Sequence, residues 1–152
     1  MLHFDKNGHL APHTAIEVSM GDFEKTFIER QPLSKTRGEI FEAYQSFSEK
    51  LKGLVSTPYY QFLDGSFVTK KLNPNDLDVV TFLDFDAFEP VEAELMKLKR
   101  DFAAKGIDAY FQEIYAPYHP NFHLNQPNFV YWTHTFSSDR KKQPKEFVKL
   151  NF

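Results

Sequence analysis

The segment Asp76–Leu83 constrains the fold most strongly, because its β-branched and aromatic residues make it the clearest strand of the chain. A helix is predicted from about Pro90, a favoured first-turn residue, to Lys105-Gly106, where glycine ends helices. Its apolar positions share one side: Val91, Leu95, Leu98 and Phe102. Residues Ile107–Ile114 then predict another strand. This order of elements favours an α+β domain with a small mixed β-sheet flanked by helices.

The remaining segments fit the same fold class. Thr36-Arg37-Gly38-Glu39 has the spacing of a capping box, and the apolar residues that follow recur at helical spacing. A strand is predicted over 59–63, a last strand over 146–152, and a short first helix around Phe23 and Phe27. Residues 116–128 read as a loop, and 129–136 as a strand or a short helix. We find no repeat or linker, so residues 1–152 are predicted to form a single domain.

Composition excludes several classes of protein. The 152 residues include no cysteine, which removes disulfide scaffolds, thiolate zinc sites and a cysteine nucleophile. The 17 Phe, 7 Tyr and one Trp argue against disorder, and a net charge of −3 argues against a basic nucleic-acid coat protein. The first residues lack the order of a signal peptide, and no apolar run approaches a membrane span. We therefore expect a cytoplasmic protein with no membrane association.

Two carboxylates stand at the start of the clearest strand. Asp76 and Asp78 are two residues apart, so both project from one face of the strand, roughly 6–7 Å apart. Carboxylates this close repel each other unless a cation lies between them, and Mg²⁺ prefers such oxygen ligands. Ten residues earlier, Gly65-Ser66 follows a predicted strand, where glycine allows backbone amides to approach a phosphate. Together these features are typical of phosphoryl or nucleotidyl transfer.

The spacing of these residues resembles a known signature. Gly65-Ser66, nine residues and then Asp76-Leu77-Asp78-Val79 is similar to the signature of the polymerase-beta-like nucleotidyltransferase superfamily. Several short segments of the chain, including residues 7–12, 62–69 and 74–80, are similar to a family of small, uncharacterised bacterial nucleotidyltransferase-like proteins. The resemblance implies a minimal nucleotidyltransferase fold. Many superfamily members have a helix between the Gly-Ser turn and the carboxylates, whereas only nine residues, including a proline, lie there in this chain.

The resemblance also implies roles for individual residues. Asp108 matches a third carboxylate, so Asp76, Asp78 and Asp108 would be catalytic and would bind one or two Mg²⁺ ions. Gly65 and Ser66 would hold the phosphates of an NTP, whose pyrophosphate would leave while the NMP passes to an acceptor. The residues themselves suggest cationic phosphate partners, namely Lys70 with its neighbour Lys71, and Arg140. Lys70 and Lys71 could instead be a solvated basic pair. The acceptor could be RNA, a protein or a small molecule, and neither it nor the preferred NTP is readable from the sequence.

Other interpretations stay open at this point. The fold could instead serve a non-catalytic module, a nucleotide sensor or a protein-binding partner such as half of a toxin–antitoxin pair. Gly65 could be only the turn residue of a β-hairpin. Asp64 and Asp84-Phe85-Asp86 are expected to form turns. Two histidines, His119 and His123, have zinc-like spacing, but nearby prolines disfavour the helix that they would need.

Three further expectations concern the residues outside this core. The basic stretch Arg140-Lys141-Lys142 with Lys145 is favoured as a charged loop, and Trp132 as a core residue rather than a base-stacking one. Larger superfamily members carry an additional helical domain that recognises the acceptor, for which this chain is too short. The flanks 1–33 and 116–152, or a second protein, would then recognise the acceptor.

Overall fold

A computed structural model describes residues 2–11 and 15–152 of the chain. The strands are β1 (His3–Phe4), β2 (Leu10–Ala11), β3 (Ile16–Glu17), β4 (Tyr60–Asp64), β5 (Leu77–Asp84), β6 (Ile107–Ile114) and β7 (Val148–Asn151). The helices are α1 (Met20–Glu24), α2 (Arg37–Leu54), α3 (Phe85–Phe88), α4 (Glu92–Ala103) and α5 (Asn125–Phe136). Helix α1 continues into one π-helical turn, Lys25–Glu29.

Five of the strands form one mixed sheet in the order β3-β7-β4-β5-β6. The pairs β3–β7 and β5–β6 are parallel, whereas β4 runs antiparallel to both of its neighbours, β5 and β7. Helices α3 and α4 form the crossover between the parallel strands β5 and β6. Strands β1 and β2 form a separate antiparallel hairpin. The predicted α+β class with a small mixed sheet is confirmed.

One face of the sheet is covered by α2, α4 and the α1 segment. Odd-numbered strand residues such as Leu63, Val79 and Ala109 point to this face, in accordance with the two-residue period of a strand. Helix α2 buries the side expected from its apolar spacing against them: Ile40, Phe41, Tyr44, Phe47 and Leu51. Rings supply much of this core, with Phe23, Phe27 and Phe67 packed 4.9–6.4 Å apart. The aromatic composition therefore serves mainly to fill the interior.

The other face carries the polar ends of β4, β5 and β6. Its centre is a small buried cluster: Phe62, Val80, Phe82, Phe136 and Phe147. Helix α5 lies over this cluster and buries only Phe136 fully, while Phe129, Val130 and Tyr131 are exposed. Trp132, predicted as a core residue, is only half-buried: it packs at the edge of this cluster, 5.2 Å from the Tyr110 ring, and donates a hydrogen bond to Gln112.

Two local predictions were wrong. Thr36 does precede α2, but its side chain makes no capping bond; its hydroxyl donates instead to the Pro74 carbonyl at 2.7 Å. Residues 125–128, predicted as loop, form the first turn of α5. Asn125 ties the start of this helix to the residue after β6, because its side chain bonds both the amide and the carbonyl of Tyr115 at 2.8 Å. Among the helices in the described ranges, none combines the length and the apolar character needed to cross a membrane.

Candidate functional site

A row of three aspartates crosses the sheet at one end. Asp64 on β4 pairs with Asp78 on β5, and Asp78 pairs with Asp108 on β6. Residues directly opposite each other on neighbouring strands share a face of the sheet, and their Cβ atoms lie about 5 Å apart. Asp76, two residues before Asp78, precedes β5 and is exposed. The strand register thus brings Asp78 and Asp108 together and adds Asp64, which was predicted to form a turn, while Asp76 lines the same cavity as Asp78 and Asp108.

Gly65 lies directly against this row. Its φ of +84° is a conformation that side chains rarely tolerate, and a Cβ atom there would lie 2.6 Å from Asp78 Oδ2. The chain then makes one 3₁₀ turn, Ser66–Val68. Glycine is required here because the turn passes too close to a carboxylate for any other residue, whereas a simple hairpin would not demand this approach.

Lys145 supplies the only cation in contact with the row among the described residues. Its Nζ lies 2.8 Å from Asp64 Oδ1 and 2.7 Å from Oδ2, and both side chains are buried. A buried carboxylate needs such a partner, because desolvation otherwise strongly disfavours its charge. Lys145 was expected to belong to a charged loop. The structure instead places its side chain inside the protein, 81 residues from its partner in sequence.

Two members of the row, Asp78 and Asp108, form one wall of a cavity of about 760 Å³ together with Asp76, whereas Asp64 lies outside its lining. The other walls bear hydroxyl and cationic side chains from two segments: Ser66, Thr69, Lys71, Arg140, Lys141 and Lys145. Two flanking residues, His9 and Asp139, also line it, with His9 Nε2 3.6 Å from Asp139 Oδ2. The cavity therefore joins the carboxylates to cations across an open space, an arrangement suited to a phosphorylated ligand.

Lys70 is not among the residues that line this cavity. Its amide donates to the Gly8 carbonyl at 2.9 Å, and its Nζ lies 5.3 Å from the centre of the Phe4 ring. These contacts hold Lys70 against the β1–β2 hairpin, and its neighbour Lys71 faces the cavity instead. Of the predicted nucleotide-binding residues, the structure thus groups Gly65, Ser66 and Arg140 around the carboxylates and leaves Lys70 outside.

Burial and mutual repulsion act on the carboxylates. Burial, followed by the charges of Asp76 and Asp108, raises the pKa of Asp78 to about 6. Burial raises the pKa of Asp64 to about 7, and the ion pair with Lys145 opposes part of that rise. Asp108 accepts a hydrogen bond of 2.8 Å from the Tyr110 hydroxyl, and this bond raises the pKa of Tyr110 to about 12. The site holds excess negative charge that a bound cation would relieve.

Asp78→Asn should therefore stabilise the metal-free protein at neutral pH. Because the folded-state pKa of Asp78 is raised, the native state holds its proton more tightly, and stability falls as the pH rises from about 4 to about 6. Removing the charge should recover up to about 3 kcal/mol at pH 8, several degrees in Tm.

The measurement is thermal unfolding with EDTA at pH 4, 6 and 8. The increase in Tm that Asp78→Asn causes should become smaller toward pH 4, where Asp78 is protonated in the folded parent protein. Asp101→Asn, which removes an exposed carboxylate on α4, serves as the control. An Asp78→Asn variant with unchanged Tm at pH 8 would contradict the interpretation.

The donor set fits a hard divalent cation only in part. Carboxylate oxygens are the ligands that Mg²⁺ prefers, and one or two of them usually suffice when substrate phosphates complete the shell. Within 2–11 and 15–152, however, no three His, Cys, Asp or Glu side chains are grouped as a ready metal site. Two of the four carboxylates are already engaged, Asp64 with Lys145 and Asp108 with Tyr110. The residues thus fit an ion that arrives together with a ligand contributing further oxygens.

Sequence reasoning gave no role at the site to His9 and Asp139, which line the cavity, or to Asp64, which pairs with Asp78 beside it. It favoured a charged loop for Lys145. Asp64 has the same parity as Asp78 across an antiparallel pair, so a strand register would have revealed it. The position of Lys145 depends on the docking of β7, and no local pattern signals that contact. Asp139 is fixed by its own loop, in which Oδ1 accepts the amides of Lys141 and Gln143.

Comparison with known proteins gives one match. No curated protein and no solved structure matches the chain. A scan against family models matches residues 2–151 to "Family of unknown function (DUF6932)". This match covers nearly the whole chain, including the carboxylate row and the residues that line the cavity. The chain therefore belongs to the DUF6932 family.

Proposed function

We propose that the protein is a metal-dependent nucleotidyltransferase that transfers an NMP from an NTP to an acceptor. The observation that carries the proposal is the set Asp76, Asp78 and Asp108, which lines one cavity together with cationic side chains. The resemblance of Gly65-Ser66 and Asp76-Leu77-Asp78-Val79 to the polymerase-beta-like superfamily supports it. So does Gly65, whose close approach to Asp78 keeps the Ser66 turn beside the carboxylates.

The two sides of the cavity suit the two ends of a nucleotide's phosphate chain. Ser66 offers a hydroxyl and Lys71, Arg140 and Lys141 offer charge to the β- and γ-phosphates, which become the leaving pyrophosphate. Asp76, Asp78 and Asp108 face the position of the α-phosphate. When bound, Mg²⁺ would neutralise charge developing on the phosphoryl oxygens.

Asp108 is suited to accept the proton of the attacking hydroxyl. It belongs to the cavity wall, and Tyr110 holds one of its oxygens through a 2.8 Å hydrogen bond. That bond helps to fix the orientation of the carboxylate beside Asp78. A fixed carboxylate within reach of a hydroxyl is the geometry that general-base assistance requires.

One observation favours the alternative function, a non-catalytic nucleotide sensor or protein-binding module. In the described part of the chain, three acidic or histidine side chains do not converge as a ready metal site. A cavity of this kind could bind a nucleotide through its cations without positioning two metal ions for transfer. The two functions differ in one respect that can be measured, which is whether a labelled NMP becomes attached to an acceptor.

The acceptor and the location also belong to the proposal. Residues of both flanks, His9 and Asp139, line the cavity and would contact the acceptor, whether RNA, protein or small molecule. A protein partner could complete this surface. A cytoplasmic location would supply the NTP.

Thermal unfolding with Mg²⁺ and non-hydrolysable analogues of ATP, CTP, GTP and UTP tests the site. We expect Mg²⁺ and one analogue together to raise Tm more than the sum of their separate effects, because each completes the other's ligands. Asp76→Asn/Asp78→Asn should remove this joint effect. Unchanged joint stabilisation in that variant would overturn the site assignment.

The control is Glu92→Gln/Glu94→Gln, which removes two exposed carboxylates from α4 and should keep the joint effect. Incubation with α-labelled NTPs and cell extract then tests transfer. A labelled acceptor that the aspartate variant fails to label supports the enzyme, whereas metal-dependent binding with no labelled acceptor supports the sensor.

A further inference from the structure

A second cavity lies at the opposite end of the strands that carry the aspartate row. It measures about 700 Å³ and lies between the residues after α2, the β5–α3 junction and the residues after β6. Asp84, on its wall, is six residues from Asp78 along β5, a separation of roughly 20 Å. No ligand of ordinary size could contact both regions, so this cavity is independent of the proposed nucleotidyl transfer.

The charged groups on the walls of this cavity are acidic. Asp84 and Asp86 line it, and no Lys or Arg is among its lining residues. Asp84 is exposed and makes no side-chain hydrogen bond or ion pair with another described residue, although it directly precedes α3. Asp86 accepts a hydrogen bond of 3.3 Å from the Tyr118 hydroxyl. The two carboxylates therefore face the cavity without a cation from the described residues.

Aromatic rings stand beside these carboxylates. Phe85 and Tyr115 each pack on His119, with ring centres 4.8 and 4.7 Å apart, and Phe85 lies 5.4 Å from Tyr115. Tyr118 is 81% exposed, yet its hydroxyl bond to Asp86 holds it at the cavity mouth. A ring that is exposed and tethered in this way offers a flat face to a ligand rather than to the core.

We propose that this cavity binds an organic cation bearing a guanidinium group. Guanidinium is planar, stacks on aromatic faces and donates paired hydrogen bonds to carboxylates, so it matches both kinds of wall. An anion would be repelled by Asp84 and Asp86, and an apolar ligand would bury them without compensation. A metal ion is disfavoured because the described residues contain no group of three ligands that could hold one. The cation could be a free small molecule or an arginine side chain of a peptide.

Calorimetric titration with N-acetyl-arginine amide tests this site, with N-acetyl-citrulline amide as the uncharged analogue. We expect the arginine compound to bind at least tenfold more tightly, and to shift the amide NMR signals of Tyr115 and His119. Agmatine provides the second arm. Tighter binding of agmatine indicates a free small-molecule cation, and tighter binding of the arginine amide indicates a peptide side chain.

Asp84→Asn/Asp86→Asn should weaken binding of the arginine compound at least tenfold. Glu92→Gln/Glu94→Gln removes the same amount of charge from exposed positions outside the cavity and should change binding less than twofold. Both variants alter exposed side chains, and their NMR spectra show whether the fold is retained. Equal binding of the citrulline analogue, equal losses in the two variants, or no binding of either cation would overturn the proposal.

Discussion

Replacing Lys145 with methionine should lower the free energy of unfolding by about 3–5 kcal/mol, the largest loss expected from a single change near the cavity. Lys145 is the cation that contacts both oxygens of buried Asp64. Without it, Asp64 keeps its position beside Asp78 and must either carry an uncompensated buried charge or take up a proton. Thermal unfolding at pH 8 should show a decrease in Tm of about 10 °C.

The double variant Asp64→Asn/Lys145→Met identifies the cause of that loss. If the penalty arises from the unpaired carboxylate, removing its charge should restore most of the stability. Lys149→Met is the matched control, because Lys149 pairs with Glu17 at 3.5 Å on the surface of neighbouring β7. Its cost should stay near 1 kcal/mol or below. A double variant no more stable than Lys145→Met would show that packing, rather than charge, is lost.

Replacing Arg37 with methionine should cost about 4 kcal/mol or more. Its guanidinium is buried and donates to four backbone carbonyls, those of Phe27, Phe67, Thr69 and Lys71, at 2.6–3.2 Å. Burial lowers the pKa of Arg37 to about 10, so the side chain remains charged at neutral pH. Methionine would leave these carbonyls buried without donors.

The loss at Arg37 should extend to ligand binding, because three of those carbonyls belong to the segment that carries Thr69 and Lys71 into the cavity. Arg37→Lys should recover only part of the stability, since an ammonium cannot reach four acceptors at once. Arg30→Met, at an exposed position, is the control. The measurements are thermal unfolding and the joint Mg²⁺–nucleotide shift. A cost below about 1 kcal/mol at Arg37 would contradict this role.

The sequence predicted the parts of the fold that depend on local patterns. The β-branched and aromatic residues of β5, the apolar side of α2 and the glycine after α4 each depend on a few neighbouring residues, and all three elements are present in the structure. The pairing of Asp76 with Asp78 on one face followed from the two-residue period of a strand, whereas Asp108 was implied only by the superfamily resemblance. The spacing rule for Gly65 found the right residue, although the reason, its approach to Asp78, required coordinates.

What the sequence could not reveal depends on contacts between distant segments. Lys145 and Asp64 meet only because β7 docks beside β4, and Arg37 reaches the 67–71 segment only because α2 crosses it. In the sequence, Arg37 suggested nothing beyond membership of a capping box that does not form. No periodic pattern in the sequence marks a charged residue whose partner lies far away along the chain. Such residues were therefore predicted to lie in loops or on the surface.

The place of β7 between β3 and β4 has a consequence for how the protein folds. Ile16 pairs with Val148 and Leu63 with the same residue, so this strand joins segments that are far apart in the sequence. Such non-local pairings form slowly, because closing the long loops costs conformational entropy before the new contacts contribute any stabilising free energy. Lys145, which precedes β7, arrives with it. We therefore expect the carboxylates of β4 to β6 to gain their countercharge late in sheet assembly, so that ligand binding in the cavity reports completed folding.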